Sequence, residues 1–146
     1  MDCNSPENIE EYKDFPAFKE LLNMIHTDFE AFFWRIYQYD MYWIFKVSEP
    51  EYAAEIKTYC ENIRKSCLNF IKAALQLRHD GADRDENCQI LNSELLDYTY
   101  HLSKAMSAYI SLTKENYIQT RHFYMNIATN RLSQALLHQK KAFALL

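Results

Sequence analysis

One glycine in 146 residues, Gly81, leaves this chain few ways to fold. Glycine supplies the positive-φ positions of tight hairpins and the bare backbone that lets a phosphate come close. Nucleotide-binding loops of the Rossmann or P-loop kind are therefore excluded, and hairpin-built barrels are disfavoured. Helices need no glycine. The three prolines and Gly81 act as punctuation, and between them the apolar residues recur at steps of three and four. The expected fold is all-α: an elongated antiparallel, up-down-up-down four-helix bundle with a short extra N-terminal helix. At this length one domain spanning 1–146 buries roughly 70% of the surface of its unfolded chain, enough for a core.

The expected helices run over about 16–46, 49–78, 85–113 and 115–144, after an N-terminal segment 1–15 that holds a short helix over 6–13. Helix one carries an unbroken seam of Phe18, Leu22, Ile25, Phe29, Phe32, Ile36, Tyr39 and Trp43. Helix two carries Tyr52, Ile56, Tyr59, Ile63, Ser66, Phe70, Ala73 and Leu77; helix three carries Leu91, Leu95, Tyr98, Leu102, Ala105, Tyr109 and Leu112. Helix four is less regular, with Ile118, Met125, Ala128, Leu132, Ala135, Leu136 and Phe143. Mean steps near 3.5 are the period of a left-handed bundle seam. Capping boxes are expected at Ser48–Glu51 and at Asp83–Glu86. Thr113–Asn116 holds neither Gly nor Pro, so the turn placed there competes with one continuous helix from about 87 to 145.

Charge narrows the partners. The net charge is −4, and a generic nucleic-acid binder would show a basic stripe instead. The four helical segments alternate in sign along the chain, negative, slightly positive, negative, positive, so sequence neighbours attract. The first residues, MDCNSPENIEEYKDF, are acidic and lack an apolar run, and the most apolar stretch, 29–47, still carries five charged or amide side chains. No export signal and no membrane span are expected, which places the chain in the cytoplasm with Cys3, Cys60, Cys67 and Cys88 as reduced thiols.

The leading functional expectation is a non-enzymatic interaction module. If the helix-one seam faces inward, then Trp34, Tyr37, Met41, Ile44 and Phe45 fall together on another surface where polar residues belong. Such a patch suits a protein partner or a second copy of the chain. The competing explanation is that Ile9, Tyr12 and Phe15 fold back and cover it.

An alternative is a small-molecule site at the end of the bundle where aromatics crowd, with Tyr42, Trp43, Tyr52, Tyr98, His101, Tyr109 and Arg121 lining it. A further alternative is a nuclease. Arg131 and His138 in RLSQALLH are similar in spacing to the Arg–His motif of HEPN-class helical RNases, which implies His as acid or base and Arg on the phosphate. Leu132 departs from the polar residue common after that Arg. No metal is expected. There is no Glu-x-x-His and no Cys-x-x-Cys, and the i,i+4 pairs His26/Glu30 and Asp97/His101 are each short of a ligand set. No cofactor is expected either.

Overall fold

The computed structural model describes residues 15–39, 42–81 and 86–144, and side chains from Leu22 onward apart from 87 and 88. The described residues are helical, with no strand among them. Five helices follow one another: α1 (Phe15–Tyr37), α2 (Trp43–Lys46), α3 (Pro50–His79), α4 (Glu86–Thr113) and α5 (Ile118–Ala144). No helix among the described residues is long and apolar enough to cross a membrane. The expected N-terminal helix over 6–13 and the cap at Asp83 lie outside the described residues.

The expected helix over 16–46 is two helices. After Tyr37 the backbone tightens: Tyr39 N donates to Ile36 O at 3.1 Å and Tyr42 N to Tyr39 O at 2.9 Å. The redirected chain buries Trp43, Ile44 and Val47 together. Neighbouring positions of a continuous helix point about 100° apart, so an unbroken helix would have kept Ile44 outside. The capping box at Ser48–Glu51 does not form either. Glu49 is the N-cap without a side-chain bond, and Pro50, which has no N–H to satisfy, fills the first turn. The Ser48 hydroxyl instead accepts from Arg121 Nη1 at 2.8 Å, a stronger, charge-assisted bond.

The other boundaries follow local chemistry. Gly81 ends α3 at φ 70°, the left-handed position glycine tolerates best. Helices α4 and α5 are separate. Lys114 N and Glu115 N reach back to Ser111 O and Leu112 O, and Arg121 Nε holds Glu115 O at 2.8 Å.

The core is one contiguous apolar cluster to which all five helices contribute. Every member of the α4 seam is buried, as are Tyr52, Ile56, Ile63, Ser66, Phe70 and Leu77 of α3. In α1, Ile25 and Phe32 are fully buried, while Leu22, Phe29 and Ile36 pack at the margin. Helix α5 corrects the sequence reading in part: Ala128 and Ala135 are buried as expected, and Met125 and Leu132 pack against the core. Leu136 and Phe143 are exposed, and the buried residues are Arg121, Ala128, Ala135 and Ala142, one every seven positions. Alanines on this face let the α5 backbone come close to α4, the most extensive helix pair of the fold. Helix α1 lies against α3, with no comparable contact to α5.

Cys60 and Cys67 are free and fully buried. Burial pushes the Cys67 thiol up to about 12 from an ordinary 9.0, and it raises Cys60 too. Because the thiolate is the reactive form, iodoacetamide at neutral pH is expected to spare both residues in the folded chain and to modify both in denaturant, as read by peptide mass mapping. The linkage sign follows. Above the ordinary thiol pKa the unfolded chain releases protons that the folded chain keeps, so stability falls between about pH 9 and pH 12.

Candidate functional site

The apolar arc of α1 runs on past the core. Beyond Phe29 and Phe32 come Phe33, Trp34 and Tyr37, which are 47%, 64% and 60% exposed. Their rings form one contiguous group. Phe33 stacks on Tyr37 at 5.9 Å and 17°, Trp34 meets Tyr37 edge-on at 5.8 Å, and Phe29 joins Phe33 at 6.3 Å. These are i,i+4 and i,i+3 neighbours, so helix geometry alone brings them together.

The backbone under this face is fixed. Arg35 Nε and Nη2 clamp Glu55 on α3 at 2.7 and 3.0 Å, and Nη1 holds Gln38 at 2.7 Å. The guanidinium also lies over Tyr39 and Tyr52 at 5.6 and 5.1 Å. Hydrogen bonding to Glu55, more than any other contact, raises Arg35 above its already high pKa. The Tyr52 hydroxyl donates to Arg35 O at 3.2 Å, and burial pushes that phenol up to about 12.

Of the five residues placed on this surface from sequence, Trp34, Tyr37 and Phe45 are exposed. Ile44 is not; it is 1% exposed and belongs to the core because the chain turns before α2. Met41 lies outside the described residues, as do the Ile9 and Tyr12 expected to cover the patch. Phe33 was missed. It sits outside both the seam and the series counted from Trp34, and the signal for it was the run Phe32-Phe33-Trp34, which is too apolar for one side of a helix.

Most of the residues expected to line a ligand site are engaged in contacts within the protein. Trp43 and Tyr109 are buried against each other at 5.7 Å, Tyr52 is buried against Tyr39 at 5.2 Å, and Tyr42 is exposed. Tyr98 is buried near Cys67 and Gln139. Arg121 is a strut: besides Glu115 O and Ser48 Oγ it holds Ile44 O at 3.0 Å.

His101 belongs to a polar cluster at the α4–α5 boundary. His138 Nδ1 lies 2.6 Å from Glu94 Oε2 and 3.9 Å from Asp97 Oδ2. The His138 ring is parallel to His101, 8° apart in plane at 5.6 Å. Arg131 Nη1 lies 3.2 Å from His101 Nδ1 and its guanidinium over Tyr100 at 5.8 Å. Arginine only donates, so His101 Nδ1 accepts and its proton sits on Nε2. Burial first, and then the charges of Arg131 and His138, lower the His101 pKa. By the same logic a carboxylate at Glu94 accepts, and His138 Nδ1 carries the proton. Arg131 and His138, one heptad-like step apart in sequence, thus share a cluster, each bonded to α4 and not to the other.

Comparison of the chain with protein-family models, with curated proteins and with solved structures finds no match, so the site rests on its own geometry.

Proposed function

We propose that this chain is a non-enzymatic helical module that associates with a second copy of itself through the aromatic face of α1. The observation that carries the reading is the contiguous exposed group Phe33, Trp34 and Tyr37 on a helix clamped by Arg35–Glu55. Large aromatics on a pre-ordered backbone lose little conformational entropy on binding and make effective anchors. Beside these rings, Arg35 is neutralised by Glu55. The three exposed rings are themselves uncharged, so the same patch on a second copy is a matching surface across a two-fold axis.

The scaffold in this proposal is an antiparallel bundle of the four long helices. Pairings across α4 and α5 support it: Glu94 meets His138 while His101 meets Arg131, so residue numbers rise on one helix as they fall on the other.

Native mass spectrometry at two concentrations tests the proposal. The wild-type chain is expected to populate a dimer as concentration rises. Phe33→Ala with Trp34→Ala is expected to weaken that dimer at least about 30-fold, the equivalent of about 2 kcal/mol for a lost anchor. The same variant keeps its helical circular dichroism and melting temperature, because neither side chain is in the core. A wild-type chain that stays monomeric at both concentrations, or a dimer untouched by the double substitution, refutes it.

A further inference from the structure

We propose that Glu94, Asp97 and His138 form a binding site for one divalent transition-metal ion between α4 and α5. These residues are distinct from the aromatic face of α1, so each proposal stands or falls alone. Glu94 and Asp97 are i,i+3 neighbours and share a face of α4. From α5, His138 aims Nδ1 at both carboxylates, and the three ligand atoms lie within 4.8 Å of one another.

The spacing suits an ion. Ligand atoms about 2.0–2.1 Å from a tetrahedral zinc are about 3.4 Å apart. The two distances from His138 Nδ1, 2.6 Å to Glu94 and 3.9 Å to Asp97, fall on either side of that value. The short one is held by the proton between imidazole and carboxylate. An ion that replaces this proton needs Glu94 to retreat and Asp97 to approach by less than an ångström each. Asp97, the most exposed of the three at 52%, is the freest to move.

The scaffold favours the site as well. Ala135 and Ala142 flank His138 one helical turn to either side, and both are fully buried. They bring the two backbones together, so one imidazole from α5 reaches carboxylates on α4. The donor set of one imidazole and two carboxylates fits zinc, manganese, iron or cobalt, whereas magnesium and calcium take oxygen alone. Two carboxylates neutralise the dication, and Arg131 spends its nearest donor on His101. Three protein ligands leave a coordination position open to solvent.

The test starts from chain treated with a chelator and dialysed. Zn2+ alone is titrated by calorimetry, and Co2+ is added in parallel for its visible spectrum. The expected result is one equivalent of Zn2+ bound in the micromolar range or tighter, with a Co2+ spectrum free of thiolate charge transfer. Asp97→Asn and His138→Ala each weaken binding about tenfold or more. His122→Ala, which removes an exposed histidine elsewhere on α5, leaves it unchanged. Asp97→Asn keeps the side-chain shape at a half-exposed position, so it decides the matter even if His138→Ala fails to fold. Absence of one-equivalent binding, equal affinity in Asp97→Asn and wild type, or a thiolate band overturns the proposal.

Discussion

Phe32→Ala is expected to destabilise the chain by about 3–5 kcal/mol, the usual loss for a buried phenylalanine, and to lower its melting temperature by roughly 10 °C. Phe32 is 1% exposed and meets Tyr109 of α4 edge-to-face at 5.1 Å. Of the described side chains of α1, only Ile25 is as deeply buried. Helix α1 has no broad contact with α5 to compensate, so the cavity falls on the long helix with the fewest other attachments. Urea unfolding followed by circular dichroism reads the loss, and hydrogen exchange should place the largest loss of protection in α1. A cost below about 1 kcal/mol would mean that α1 is held chiefly by Arg35–Glu55. The comparison with Phe33→Ala, Trp34→Ala is informative. The two variants are expected to weaken association alike, but only Phe32→Ala does so by loosening the helix that carries the face.

Arg121→Ala is expected to cost about 3 kcal/mol or more, through hydrogen bonds and not through packing. The side chain is 5% exposed and donates to Glu115 O, Ile44 O and Ser48 Oγ at 2.8–3.0 Å. Bonds from a charged donor are worth about 1.5–3 kcal/mol each when broken singly, and acceptors left dry add to the cost. The guanidinium joins the α4–α5 turn to α2 and to the start of α3, three segments that share few other polar ties. Arg121→Lys should recover only part of the loss, since a single ammonium cannot reproduce the fork. Arg121→Leu fills the volume and leaves the carbonyls unmet. If it is as stable as wild type in urea, the hydrogen bonds are dispensable and this account fails.

Arg121 also shows how far sequence reasoning reached. It was singled out for its place among aromatics, as a possible ligand contact. Its actual partners are a carbonyl 77 positions earlier and a hydroxyl 73 positions earlier, and no local pattern marks either. The same holds for His138. Its spacing from Arg131 was visible on α5, but Glu94, which orients it, lies 44 positions away on α4. Asp97 was paired in sequence with His101, four residues on, whereas its ligand-like neighbour is His138. Over the expected helix 16–46 the excess of apolar residues over what one seam needs was plain, and Trp34, Tyr37 and Phe45 followed from it. Ile44 did not, because its place depends on a turn that neither Gly nor Pro announces.

The sequence alone determined that the chain is helical, where α3 and α4 bury themselves and that α1 carries more aromatic surface than a core can take. These are consequences of period and composition, which act within a few residues along one helix. The tertiary structure decided where α1 stops, that Ala142 and not Leu136 or Phe143 joins Ala128 and Ala135 on the buried side of α5, and that two carboxylates of α4 meet one imidazole of α5. A helix with apolar residues on several sides has several rotations of nearly equal local energy. Only contact with its neighbours, made across long stretches of chain, selects among them.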